Sequence, residues 1–361
     1  MATALLQDSM TPLERRSAFI QGKPYDRIPF SANMGDHAAR VIDAKVSEVT
    51  RSSSLLAKAQ IAAYRHYKLD AVGVQAGHLG VAEALGTELE FPDDSTAFVK
   101  KFAMDHIADF RHLEIPDPRK AGRFPVFLEA AEILLEKVGH EAPVNVGFGG
   151  PMSTAYSLLG AEKLLKALLT APELVHELLD FCVESATPFI REAAKLKVSF
   201  GIVDPVSSGS VISREMFRKF SKPALTKLIG RVKEVAAPPM LHICGNTGKI
   251  IGDMVDTGAG ALSLDNSVDL ADAKREVGSR ITLVGNVRPA DTMFLGTPET
   301  VEENVKECLL KGYDSPRGYM LALGCELPIK TPPENVHALS QAVRKFGQFP
   351  YLPELFGAIA N

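Results

Sequence analysis

Pro239-Met240-Leu241-His242-Ile243-Cys244-Gly245 is an apolar run opened by two prolines, Pro238 and Pro239, and closed by a glycine. Such a run reads as a buried strand breaking into a loop. Successive strand side chains face opposite ways, so His242 and Cys244 share a face. The same pattern recurs on both sides. Upstream, Val198-Ser199-Phe200-Gly201-Ile202-Val203-Asp204-Pro205 ends in an acid. Downstream, Gly260-Ala261-Leu262-Ser263-Leu264-Asp265-Asn266 and Ile281-Thr282-Leu283-Val284-Gly285-Asn286 end in amides.

Further out lie four more candidates: residues 27–35, 70–77, 143–151 and 320–325. Helical periodicity fills the gaps at 52–68, 127–139, 162–197 with a fresh start at Pro172, and 213–236, then from Val268, Thr297 and Pro332. Thr11-Pro12-Leu13-Glu14 opens a first helix with a threonine cap, a proline in the first turn and an early acid. Eight strands alternating with helices predict parallel βαβ units with right-handed crossovers. A closed α/β (β/α)8 TIM barrel takes that count in one domain over 1–361. It carries an N-terminal helical extension at 1–26, whose first ten residues read as a loose leader, and an insertion at 86–125 after strand two. The alternative is an open doubly wound sheet, but no Gly-x-Gly-x-x-Gly follows the first strand.

The 361 residues are 46% hydrophobic and 23% charged with a net charge of −4, which gives nucleic-acid binding no electrostatic footprint. No apolar stretch reaches the ~20 residues that cross a bilayer. The chain has no tryptophan, the strongest stacking side chain, although 18 phenylalanines and 7 tyrosines remain. No signal peptide is visible and there are four cysteines, so a reducing, cytoplasmic compartment is expected.

An imidazole and a soft sulfur side by side at a strand end are the start of a zinc site. Cys182 and Cys308 lie in helical stretches, where cysteine is a small buried hydrophobe. Cys325 ends the eighth strand candidate after Gly324, so His242, Cys244 and Cys325 form a candidate triad with one position open for a reactant. Strand-end packing and a Cys244–Cys325 disulfide are the alternatives at this point.

In a barrel of this kind chemistry gathers at the carboxyl ends of the strands. Those ends read Asn33, Gln75 with nearby His78, Gly149-Gly150, Asp204, His242 with Cys244, Asp265-Asn266, Asn286 and Cys325, a polar ring that adds weight to the metal reading. Asn33, Gly149, Asp265 and Asn286 are candidates for cofactor contact. Asp204 and Asp265, which end apolar runs, are candidate site residues or partners of the His242 ring. Glu83 is a candidate fourth ligand in the resting state, with a solvated helix face as the alternative. His37 and His78 follow strand ends and face a substrate in this reading, whereas His66, His106 and His112 read as surface residues.

The run Leu323-Gly324-Cys325-Glu326-Leu327-Pro328-Ile329-Lys330-Thr331-Pro332-Pro333-Glu334-Asn335-Val336 resembles the C-terminal signature of the uroporphyrinogen decarboxylase (URO-D) superfamily. Gly285-Asn286-Val287 and the opening Thr11-Pro12-Leu13-Glu14-Arg15-Arg16 through Asp26-Arg27-Ile28-Pro29 are similar to it too. True decarboxylases of that superfamily carry an Arg-Gln-Ala-Gly-Arg segment after the first strand and a histidine in a final Gly-His-Gly motif. This chain has Ser31-Ala32-Asn33-Met34-Gly35-Asp36-His37 at the first place and Cys325 at the second. A tetrapyrrole with eight carboxylates needs guanidinium partners, and the expected cluster is missing. What remains resembles the cobamide-dependent methyltransferase branch, whose zinc pattern of His-x-Cys with a distant Cys is matched by His242, Cys244 and Cys325.

The resemblance implies a Zn2+ cofactor and methyl transfer involving a corrinoid carried on a partner protein. A small methyl donor or thiol acceptor completes the reaction, and a homodimer is one candidate assembly, the sequence itself not fixing the oligomeric state. In one direction a methyl ether or methanol-like donor gives its methyl to cobalt(I), with Asp36, His37 or His78 handling the proton on the alcohol product. In the other, a thiol of the coenzyme M type takes the methyl from methyl-cobalt(III). The Gly324-Cys325-Glu326-Leu327-Pro328 ending is more similar to the donor-side demethylating proteins, so O-demethylation is the expected direction. A tetrapyrrole decarboxylase with a rearranged anion site and a purely structural zinc are the rivals.

Overall fold

Short apolar runs punctuated by glycine and proline become strands, and in the computed structural model, which describes residues 8–349, all eight form. They are Phe30–Ser31 (β1), Val72–Gln75 (β2), Val144–Gly149 (β3), Ser199–Val203 (β4), Met240–Ile243 (β5), Ala261–Leu264 (β6), Thr282–Val287 (β7) and Tyr319–Leu323 (β8). They pair in parallel in the order β1-β8-β7-β6-β5-β4-β3-β2. Sequence neighbours are spatial neighbours and β8 returns to β1, which is the (β/α)8 barrel arrangement. Among the described residues no ladder joins β1 to β2. Asp70, two residues before β2, spans that seam by accepting from the Phe30 N–H (3.0 Å) and the Arg27 guanidinium.

Side chains along the strands alternate between full burial against the helices and partial exposure toward the axis. Val72 and Val74 of β2 pack outward, against helices Ser53–Tyr67 and Phe124–Val138, while Gly73 and Gln75 face in. The helices follow their own signals. Ser52 caps Ser53–Tyr67, Thr297 caps Pro298–Gly312, and Pro172 opens Pro172–Ala194 where its missing N–H costs nothing. Helix Pro12–Ile20 has a capping box between Thr11 and Glu14 and lies across the amino ends of the strands, with Arg15 bonded to Asp70 and Arg16 to Ser199.

Several expectations change in detail. The first strand shrinks from 27–35 to two residues, because Pro29 lacks an N–H and the 33–35 segment turns away. The 213–236 helix is interrupted by a wide π turn, Phe217–Ser221, immediately before Pro223, which cannot donate to the ladder. Helix Pro151–Leu159 was not expected: eight of its nine residues are buried, so it has no polar stripe for periodicity to detect. Residues 86–125 hold a hairpin, Glu88–Glu90 with Phe98–Lys101, and a 3-10 turn, Ile107–His112. Residues 1–7 of the expected leader lie outside the described residues. No helix among the described residues is long and apolar enough to cross a membrane.

Candidate metal centre

β5 ends at Ile243 and the chain turns at Gly245, whose φ of +73° is a backbone region that L side chains avoid. The Gly245 N–H is fixed by the Asp265 carboxylate at 2.8 Å. This turn leaves Cys244 on the same side as His242. Cys325 arrives from β8 over Gly324, where a Cβ would come within 2.6 Å of the Asn266 backbone nitrogen. Glycine therefore lets the loop after β8 press against the loop after β6 and brings the second sulfur to the first.

The ligand atoms of His242, Cys244 and Cys325 all lie within 4.8 Å of one another. His242 Nε2 is 3.1 Å from Cys244 Sγ, and the two sulfurs are 3.7 Å apart. That separation excludes a disulfide, whose bond is about 2.05 Å. It matches two thiolates on one tetrahedral zinc, which with bonds of about 2.3 Å sit roughly 3.8 Å apart. The contact between the two sulfurs, with His242 nearby, pulls one thiol of the pair down, Cys325, and pushes the other, Cys244, up. One nitrogen and two sulfurs fit zinc by donor chemistry. At the other ring nitrogen, Nδ1 of His242 meets Ser263 Oγ at 3.0 Å and the Ser263 carbonyl at 3.2 Å. A proton on Nδ1 leaves the Nε2 lone pair for a metal.

The remaining candidates divide. Asn33, Asp36 and His78 line the cavity that opens over the triad. Burial pushes the Asp36 carboxyl up and the His78 imidazole down, so both are held toward their neutral forms. His37 is turned away from the cavity: Nδ1 meets the Ile329 carbonyl and Nε2 the Tyr67 hydroxyl, each at 2.9 Å, so neither nitrogen is free for substrate. Glu83 does not join the triad, because its carboxylate is held by Arg123 at 2.9 Å. Asp204 is wholly buried and bonded to Ser153 and Ser207; only its backbone N–H reaches His242, through the carbonyl. Asp265 shapes the Gly245 turn, and the Asn286 amide donates to the Asp265 and Val268 carbonyls. Gly149 is a packing position, where a Cβ would come 2.9 Å from the His78 Cα.

Two residues of the site escaped the sequence reading. Ser263 is the actual partner of the His242 ring, and its signal was available: it faces inward two residues before Asp265 on β6 and pairs in register with His242. Glu326, inside the C-terminal motif, is the other. Burial, with Asp36 and Cys325 adding, raises its carboxyl to about 7.

Fold and site together define a parallel (β/α)8 barrel with a His-Cys-Cys metal-type cluster at the carboxyl ends of its strands. Residues 11–346 match the uroporphyrinogen decarboxylase (URO-D) family, and the chain belongs to it. It is 30% identical over 334 residues to the methylcobamide:CoM methyltransferase MtaA of Methanosarcina barkeri, covering 91% of this chain and 96% of that protein. It is 28% identical over 341 residues to the methylcobamide:CoM methyltransferase MtbA of Methanosarcina mazei, covering 93% and 98%. A solved methyltransferase from Methanosarcina mazei superposes with a TM-score of 0.85 at 30% identity, covering 94% of this chain and 99% of that one.

Proposed function

We propose that this chain is a zinc-dependent methyltransferase that moves a methyl group between a corrinoid carried on a partner protein and a small substrate. The observation that carries this reading is the convergence of His242, Cys244 and Cys325 over a cavity in a chain whose relatives are named methylcobamide:CoM methyltransferases. A zinc ion held by these three residues would supply Lewis acidity toward a reactant in its open position. The chain's own residues do the remaining work. Ser263 holds the His242 ring in the tautomer that offers Nε2. Met34, Leu323 and Leu327 keep the walls of the mouth apolar, and Asp36 and His78 face the cavity as groups able to give or take a proton at a substrate oxygen. The four cysteines are free, which suits a reducing, cytoplasmic setting.

O-demethylation, with a methyl ether or methanol-like donor, is the favoured direction. The mouth carries the Asp36 and Glu326 carboxyls, and its guanidinium, Arg123, is already engaged by Glu83. With both carboxyls pushed toward their neutral forms and the guanidinium taken, the described residues of the mouth offer no free cation to a thiol bearing a second negative charge, and a neutral donor suits it better. The thiol direction is the second reading, favoured by the names of the relatives. The test begins with elemental analysis of protein purified without added metal, expected to give about one zinc per chain that is lost in Cys244→Ser and Cys325→Ser. Zinc-loaded protein is then assayed for methylation of a cobalt(I) corrinoid by methyl ethers, and for demethylation of methyl-cobalt(III) by thiols. Transfer in neither direction would sink the proposal.

A further inference from the structure

The cavity beneath the metal centre continues along the barrel axis. Its volume is about 1440 Å³, and at the amino ends of the strands it is lined by Arg16, Phe19 and Tyr25. Barrels of this fold are ordinarily filled by layers of bulky side chains. Here Gly73, Gly201, Ala261 and Ala322 line the axis and leave it open.

Arg15 and Arg16 are neighbours on helix Pro12–Ile20 with opposite fates. Arg15 is wholly buried and paired with Asp26 and Asp70. Arg16 donates from Nη2 to Ser199 Oγ at the foot of β4 (2.7 Å), and among the described residues it has no other hydrogen bond and no ion pair. A guanidinium has five N–H donors, and placing it in a pocket without an anion is costly. Lys23 and Arg317 line the same end, where the one lining carboxylate among the described residues, Asp70, is already shared by Arg15 and Arg27.

We propose that this end of the barrel binds a small organic carboxylate with an apolar body, the carboxylate on Arg16 and the body along Met240, Val284 and Met320. The planar fork of a guanidinium matches both oxygens of a carboxylate. Ser199 lies four residues below Val203, the β4 partner of His242, so this site stands roughly 13 Å along the strand from the metal centre. It is separate from the methyl-transfer position and does not depend on that reading.

Calorimetric titration of the full chain with hexanoate, and with hexanamide as its uncharged counterpart, tests the site. Hexanoate binds saturably, hexanamide at least about tenfold more weakly, and Arg16→Gln loses about tenfold for hexanoate. Arg16→Lys, which keeps the charge and loses the fork, falls between, and Cys244→Ser binds hexanoate as the parent chain does. Equal binding of hexanoate and hexanamide by the parent chain overturns the proposal without recourse to any variant. So does the absence of saturable hexanoate binding up to about 10 mM, unchanged affinity in Arg16→Gln, or loss of hexanoate binding in Cys244→Ser.

Discussion

Ser263 Oγ stands 3.0 Å from Nδ1 of His242, while Cys244 meets the other ring nitrogen, Nε2. This contact exists because β5 and β6 pair in parallel with His242 and Ser263 in register. Outer contacts of this kind typically carry 10- to 100-fold in metal affinity, and the Ser263 carbonyl remains at 3.2 Å when the hydroxyl is removed. Ser263→Ala is expected to weaken zinc binding by about tenfold, read by competition with a chromophoric chelator. Unchanged affinity would show that the carbonyl alone orients the ring.

Glu83 and Arg123 form a largely buried pair, with side chains 13% and 12% exposed. Glu83→Gln is expected to leave the zinc content unchanged while costing about 1–3 kcal/mol of stability, because Arg123 loses its charged partner. Elemental analysis beside denaturant unfolding separates the two effects. Loss of zinc in this variant would restore Glu83 as a ligand.

Asp204 accepts from the Ser153 N–H and hydroxyl and from the Ser207 hydroxyl while wholly buried. Gly150 packs so closely that a Cβ would come 2.4 Å from the Asp204 Cγ. Asp204→Ala leaves three donors without an acceptor and is expected to cost about 2–4 kcal/mol with zinc retained. Gly150→Ala is expected to cost about 1–3 kcal/mol through overpacking. Thermal unfolding checks both, and a stable but inactive Asp204→Asn variant would argue for a catalytic role instead.

Acid stability is expected to depend on the ion cluster at the amino end of the barrel. Burial opposes ionisation of Asp8, yet Arg27, Arg344 and Arg15 overcome it and hold its carboxyl at about 2. A carboxyl depressed in the folded chain contributes stability that is complete above its unfolded pKa, near 3.9, and is lost as pH falls toward 2. Asp8→Asn is expected to remove about 1–2 kcal/mol at neutral pH, an amount reduced by solvent screening, and to flatten the fall between pH 4 and 2. Urea unfolding across that range tests it, and an unaltered slope would count against the assignment.

Strand positions were legible because short apolar runs bounded by glycine and proline admit few other structures, and eight of them alternating with helices leave little choice of topology. His242 and Cys244 share a face by the two-residue period of a strand alone. Cys325 was reachable from its place at the end of the last such run. The helix Pro151–Leu159 was not legible, because burial on every side removes the polar stripe that marks a helix.

Sequence by itself therefore pointed to the barrel and to the end at which its polar ring gathers, since local period and chain order carry that information, and it offered His242, Cys244 and Cys325 as a candidate triad that the family resemblance favoured over strand-end packing and a disulfide. Tertiary structure alone decided which polar groups face the cavity. His37 is consumed by Ile329 and Tyr67, Glu83 by Arg123 and Asp204 by Ser153, leaving Asp36, His78 and Glu326 lining the mouth and Arg16 without an acid partner among the described residues at the far end. The reason is that a polar side chain near a site is claimed by whichever complementary group folding brings within hydrogen-bond distance, and those groups come from elements far apart in the chain.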